Sequence, residues 1–196
     1  MINSEAIESL KKLKDGNIRF VNGNAEKPNQ SLNRLKEISS IQTPFATIIG
    51  CSDSRVPSEI IFDQGLGDLF IVRTAGQVSS NASWASVEFA YTALNTKLIV
   101  VLGHTKCGAV KAACESNETV GHMVTLINEI KPAVVLAKNN LKDGNLVELA
   151  VEYNVLLQVE KLKLLEPILS KAVESSDLLI IGAVYELETG EVKFLE

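Results

Sequence analysis

Short apolar runs alternate along this chain with longer stretches of helical periodicity, and this alternation is the strongest constraint on its fold. The clearest run is KLIVVLG at residues 97–103, where apolar side chains follow one another without polar interruption. Such runs are typical of strands that are buried on both faces of a parallel sheet. Further strands are predicted at residues 45–50, 69–73 and 177–185, with an edge strand at 191–195.

Helical stretches separate most of the predicted strands. They cover residues 82–94, 108–114, 120–138 and 147–173. Pro132 and Pro167 should bend or restart the last two, because proline lacks the backbone donor that a helix interior requires. Strands that alternate with helices predict an α/β domain, in which a mainly parallel central β-sheet is flanked by helices.

A helical arm is predicted ahead of this α/β body. Apolar residues recur at helical spacing in residues 4–21, which predicts an amphipathic helix with Ser4 as its N-cap. A second short helix is expected at residues 32–41. The arm carries a net positive charge and the rest of the chain is acidic, which favours packing of the arm on its own or a neighbouring subunit.

The length and composition of the chain indicate one domain with a sizeable core. We expect a single domain over residues 1–196, made of the arm at 1–41 and the α/β body at 42–196. The net charge of -5 and the lack of a basic run argue against a nucleic-acid partner.

The apolar runs and the cysteines indicate in which cellular compartment the protein is expected. No apolar run is long enough to cross a bilayer, and the first twenty residues lack the apolar core of a signal peptide. We therefore expect no membrane association. Three cysteines without an export signal predict a reducing compartment, and so a cytoplasmic protein.

Two short motifs carry the chemistry of the chain: Cys51-x-Asp53-x-Arg55 and His104-x-x-Cys107. They hold one of its two histidines and two of its three cysteines. Two thiolates and an imidazole can bind Zn²⁺ and leave a fourth position open, as catalytic zinc sites do. Each motif begins directly after a predicted strand, at the sheet edge where α/β proteins bind ligands. The two motifs therefore meet if their strands are neighbours.

The first motif also supplies a carboxylate and a guanidinium. Asp53 can accept a hydrogen bond from a zinc-bound hydroxide and so fix its orientation. Arg55 can pair with Asp53 through a bidentate fork, which would keep the carboxylate ionised and aimed. Alternatively, Asp53 can itself ligate the zinc ion and close the site into an inactive form.

Both motifs lie in longer segments that resemble the β-class carbonic anhydrases. These segments are CSDSRVPSEIIFDQGLGDLFIVRTAG and GHTKCGAV, and the similarity extends to the N-terminal LKKLKDGNIRFVNGN and the closing GAVYELETGEVKF. The resemblance implies one Zn²⁺ per subunit and reversible hydration of carbon dioxide to bicarbonate and a proton. It also implies a dimer or tetramer in which the arm embraces the partner subunit.

The resemblance further implies a role for individual residues. Cys51, His104 and Cys107 would be the zinc ligands, and Asp53 and Arg55 the catalytic pair.

The substrate pocket should be small and apolar, because carbon dioxide offers few polar contacts. Phe62, Val78 and Ile61 are candidates for its lining. Gln64 is expected to donate a hydrogen bond to a bound substrate oxygen, as a glutamine in this loop does in some relatives. Arg73, at the end of a predicted strand, is expected to form a salt bridge.

Two other functions remain open from the residues alone. Hydrolysis of carbonyl sulfide or carbon disulfide uses the same metal ligands on this fold. A non-catalytic zinc protein would keep Asp53 as a permanent fourth ligand.

Overall fold

A five-stranded sheet forms the centre of the molecule in the computed structural model, which describes residues 2–115 and 120–195. The strand order is β2-β1-β3-β4-β5. The first four strands are parallel, and β5 pairs antiparallel with β4 at the edge. The strands are β1 (Ala46–Cys51), β2 (Leu69–Thr74), β3 (Leu98–His104), β4 (Leu179–Tyr185) and β5 (Val192–Leu195).

Helices cover both faces of this sheet. They are α1 (Ser4–Val21), α2 (Leu32–Glu37), α3 (Ser58–Ile61), α4 (Asn81–Thr92), α5 (Gly108–Glu115), α6 (Met123–Asn140), α7 (Leu146–Lys163) and α8 (Leu169–Glu174). A 3-10 turn, Ala75–Gln77, follows β2. Of the helices described, none is long and apolar enough to cross a membrane.

The apolar strands supply two separate cores because successive strand residues face opposite sides of a sheet. Ile49, Cys51 and Val101 belong to the larger core, which lies under α5, α6 and α7. Ile48 and Val100 belong to the smaller core, under α1 and α3. Burial on both faces is the reason that these strands show no polar alternation.

The predicted α/β class is confirmed, and each predicted strand exists with bounds shifted by no more than two residues. The predicted helix at 147–173 is divided near Pro167 into α7 and α8, as the proline indicated. Helix α6 continues through Pro132, so the predicted restart there was wrong, and a bend at Pro132 stays a prediction.

Two local predictions in the N-terminal half also need correction, and one short helix there was not predicted. The N-cap of α1 is Asn3, whose side chain accepts a hydrogen bond from Glu5 N at 2.8 Å, and not Ser4. Helix α2 ends at Glu37, where the Ser39 hydroxyl binds the Lys36 carbonyl and competes with further helical hydrogen bonds. Helix α3 was missed because a single turn is too short to show a period.

The predicted arm helix α1 lies on the body of its own chain. Asn17 is buried and donates to the carbonyls of Ile61 and Gly190, while its oxygen accepts from the backbone N–H of Val192 at 2.9 Å. Arg19 pairs with the buried Asp63 at 2.6 Å. These polar contacts fix where the helix docks on the smaller core.

Gly16 allows the close approach of α1 to α3, which leads to a first prediction. A Cβ at this position would lie 1.9 Å from the Phe62 carbonyl oxygen. Replacing glycine by alanine inside a helix normally stabilises it by about 1 kcal/mol. Here the clash should dominate, so Gly16→Ala should lower the free energy of unfolding by about 1–3 kcal/mol in urea titrations.

Glu8→Ala, on the exposed face of the same helix, serves as the control and should change the free energy of unfolding by less than about 0.5 kcal/mol. A Gly16→Ala protein as stable as the wild type would show that α1 does not dock as described.

Candidate metal centre

Parallel pairing of β1 with β3 brings the two sequence motifs together. Cys51 is the last residue of β1, and His104 is the last residue of its neighbour β3. Cys107 follows in the short loop before α5. The ligand atoms of these three buried residues all lie within 4.8 Å of one another. The two motifs were expected to meet only if their strands are neighbours, and β1 and β3 are neighbours.

The imidazole of His104 is oriented for a metal ion. Its Nδ1 lies 2.9 Å from the Thr105 carbonyl oxygen, which can only accept, so Nδ1 carries the ring proton. Nε2 is then an unprotonated acceptor, fully buried and without a hydrogen-bond partner among the residues described. A buried acceptor without a partner costs about 1–3 kcal/mol, and a metal ion at Nε2 would remove that cost.

The Cys51 and Cys107 side chains are close enough to shift one another's pKa. A hydrogen bond from the Cys107 thiol is the largest cause that holds the pKa of Cys51 well below its usual range. The same hydrogen bond, together with burial, holds the pKa of Cys107 well above its usual range. Binding of zinc requires both residues as thiolates and would therefore release a proton.

Backbone amides complete the surroundings of Cys51. The N–H groups of Asp53 and Gly76 point at its Sγ from 3.4 and 3.3 Å. The donor set of two thiolates and one neutral imidazole, with its polar surroundings, fits Zn²⁺ in a three-ligand site.

Asp53 lies beside this donor set and is paired with Arg55. Arg55 donates from Nε to Oδ1 at 2.9 Å and from Nη2 to Oδ2 at 2.8 Å, and its backbone N–H also reaches Oδ1. The Arg55 side chain holds the pKa of Asp53 well below its usual range. Oδ2 of Asp53 lies 3.9 Å from His104 Nε2. Asp53 therefore pairs with Arg55 beside the donor set, and its role towards a zinc-bound hydroxide or as a fourth ligand stays a prediction.

Arg73 supports the same segment in a way that its sequence position did not reveal. Instead of the expected carboxylate, its partners are the carbonyl oxygens of Cys51, at 2.9 Å from Nε, and of Asp53, at 2.7 Å from Nη2. These two bonds hold the turn after β1. In the sheet register Arg73 lies opposite Gly50, the residue before Cys51. The only feature of the sequence that could have indicated this role is the position of Arg73 near the end of a predicted strand.

The predicted pocket residues lie in different parts of the fold. Val78 packs in the same core as Cys51 and Cys107. Phe62 and Ile61 pack in the other core, against α1. The Gln64 amide donates to the Phe62 carbonyl at 2.8 Å, next to α1. A role for any of them in binding substrate stays a prediction.

Comparison with known proteins agrees with this geometry. A family model described as carbonic anhydrase matches residues 46–192, a range that includes both motifs. Carbonic anhydrase 2 of Mycobacterium tuberculosis is 40% identical over 97% of this chain and 93% of its own. The chain belongs to the β-carbonic anhydrase family.

Solved β-carbonic anhydrases have the same fold. The β-carbonic anhydrase CcaA is 29% identical, with a TM-score of 0.76 over 95% of both chains. The tetrameric β-carbonic anhydrases of Sordaria macrospora give a TM-score of 0.77 at 23% identity, covering 96% of this chain and 97% of theirs. The five-stranded sheet with its helices is thus the fold of the family.

The donor set predicts which residues control the zinc content of the purified protein. The wild type should bind about one zinc ion per chain, and Cys51→Ser, His104→Gln and Cys107→Ser should each lose most of it, because a catalytic site has only three protein ligands. Elemental analysis after dialysis against a weak chelator measures the effect.

Cys114→Ser is the matched control, since Cys114 is the third free cysteine and lies outside the cluster. It should keep the zinc content of the wild type. Full zinc in the Cys51→Ser protein would contradict the assignment.

Proposed function

We propose that this β-carbonic anhydrase family member hydrates carbon dioxide reversibly to bicarbonate and a proton, with one zinc ion held by Cys51, His104 and Cys107. Zinc supplies an activated water, whose pKa falls to about 7 in the three-histidine carbonic anhydrases. The observation that carries the proposal is the convergence of these three side chains next to an Asp53–Arg55 pair. The curated relatives named carbonic anhydrase support it.

Asp53 is proposed to orient the attacking oxygen. It lies next to the donor set and stays a carboxylate because Arg55 stabilises its charge. A carboxylate can only accept hydrogen bonds, so it aligns the proton of the nucleophile and points the oxygen lone pair at the substrate. Arg73 holds the backbone of this turn, and so the position of the carboxylate.

The alternative of a non-catalytic zinc protein requires Asp53 as a permanent fourth ligand. In the structure both Asp53 oxygens accept from Arg55, which competes with that role. Hydrolysis of carbonyl sulfide or carbon disulfide would use the same donor set. Because the relatives are named carbonic anhydrases, carbon dioxide is the favoured substrate. Activity on the sulfur gases is one of the outcomes of the test below.

Removal of the Asp53 carboxylate tests the proposal. Asp53→Ala should lower kcat/KM for carbon dioxide hydration by about 100-fold, equivalent to about 2.7 kcal/mol, because a positioned proton acceptor typically contributes that much. Zinc content should stay that of the wild type. Stopped-flow measurements between about pH 7 and 9 on the zinc-loaded proteins give the rates.

Asp177→Asn is the matched control, because Asp177 also pairs with a basic residue, Lys97, but does so ahead of β4, at the end of the sheet away from the metal centre. It should keep the wild-type rate. An Asp53→Ala protein with full activity would contradict the role of Asp53. A zinc-loaded wild type inactive on carbon dioxide but active on carbonyl sulfide would transfer the proposal to that substrate.

We further propose that the chain self-associates as a dimer or tetramer through its arm helices. Several apolar residues of α1 and α2 are exposed in the single chain, among them Ile7, Ile18, Leu32 and Leu35. Exposed apolar residues that cluster on one segment commonly mark an interface. The related β-carbonic anhydrases of Sordaria macrospora, which share this fold, are tetrameric.

Light scattering after size exclusion should therefore give two or four times the mass of the chain. Leu35→Glu should shift the protein towards the monomer, because it places a charge in the proposed interface. Leu164→Glu, at a more exposed leucine after α7, should leave the mass unchanged. A monomeric wild type would refute self-association.

We also propose a cytoplasmic location. All three cysteines are free thiols, and the metal centre needs two of them as thiolates, which a reducing compartment preserves. Fractionation of the source cells would test this, with recovery in an exported fraction as the contrary result.

A further inference from the structure

Two carboxamide side chains lie deep in the larger core, on one face of α7. Asn154 and Gln158 are one helical turn apart and have no exposed surface. Their neighbours on the helix are the apolar Val151, Val155 and Val159. Burial of an amide costs free energy that an apolar residue would not cost, so these two positions require a structural or functional reason.

Both amides hold the turn that follows β2. Asn154 Nδ2 donates to the Gly76 carbonyl at 2.9 Å, and Gln158 Oε1 accepts from the backbone N–H of Ser79 at 3.3 Å. Within the described residues, Gln77 in the same turn is buried with no partner for either of its side-chain polar atoms. Two hydrogen bonds from α7 therefore help to fix this turn.

Gly76 connects this turn with the metal centre. Its N–H donates to Cys51 Sγ at 3.3 Å, and its backbone has φ 67° and ψ 23°, a left-handed conformation that favours glycine. A Cβ here would lie 2.9 Å from Ile130 Cδ1 and 3.2 Å from Ala109 Cβ. The chain of contacts thus runs from Asn154 through Gly76 to the sulfur of Cys51.

Helix α7 also reaches the second ligand-bearing loop. Glu148, in its first turn, accepts from the backbone N–H of Lys106 at 3.0 Å. Lys106 lies between His104 and Cys107 and has a positive φ of 55°. One helix therefore restrains the backbone on both sides of the donor set.

We propose that Asn154 is a positioning residue of the metal centre, which acts through Gly76 to keep a backbone N–H directed at the Cys51 sulfur. Groups that hydrogen-bond to a metal ligand fix its orientation and tune its electron donation, and their loss typically costs 10–100-fold in affinity or activity. The inference rests on the proposed binding of zinc, but not on the reaction that zinc supports.

The test replaces Asn154 by leucine, which has a similar size but no donor. Cobalt(II) in place of zinc reports the sulfur directly through its sulfur-to-metal charge-transfer absorption. Loss of the N–H···S bond raises the energy of the sulfur lone pairs, so this band should move to longer wavelength in Asn154→Leu. Zinc affinity, measured by competition with a chromophoric chelator, should fall by about 10-fold.

Val159→Ala is the control on the same helix, because it opens a cavity in the same core, next to Gly182 of β4. It should lower thermal stability and leave the cobalt spectrum and the zinc affinity unchanged. An Asn154→Leu protein with the wild-type spectrum and affinity would overturn the proposal.

If the leucine variant does not fold, Asn154→Ser provides the same comparison, since its shorter side chain does not reach the Gly76 carbonyl. A spectrum unchanged from wild type in Asn154→Ser would equally overturn the proposal. A wild type that binds cobalt but does not hydrate carbon dioxide would contradict the proposed function alone.

Discussion

Parallel hydrogen bonding between β1 and β3 is the interaction on which the metal centre depends. The register pairs Gly50 with Leu102, so both strands end at the same edge, with Cys51 and His104 as their last residues. The two residues are far apart in sequence, and only the burial of both strands in one sheet brings them within coordination distance. The apolar cores that hold the sheet together therefore also form the metal site.

Some polar groups around the donor set fix the orientation of its side chains, and others further out hold the backbone that carries them. The Thr105 carbonyl sets the tautomer of His104, and Arg55 keeps Asp53 ionised beside the ligand atoms. Arg73 and Asn154 act one step further out, on backbone carbonyls instead of side chains. These outer hydrogen bonds also contribute to the stability of the fold, because they pair backbone carbonyl groups.

The sequence predicted the strands well because burial on both faces leaves a continuous apolar signal, as in 97–103. It predicted the ends of helices less well, since these depend on local contacts such as the Asn3 cap and the Ser39 hydroxyl. The sequence alone also did not show that α6 continues without a break through Pro132. There, packing of the helix against its neighbours outweighs the loss of one backbone hydrogen bond.

The sequence by itself determined the α/β class and the candidate metal ligands that the fold brings together, because residue type and position after a strand carry that information. Only the tertiary structure decided that Arg73 holds the turn after β1, that α1 docks on its own chain, and that α7 holds the turn containing Gly76. These features arise from side chains that meet across long sequence separations. No local pattern records such a contact, since its geometry exists only once the two cores are packed.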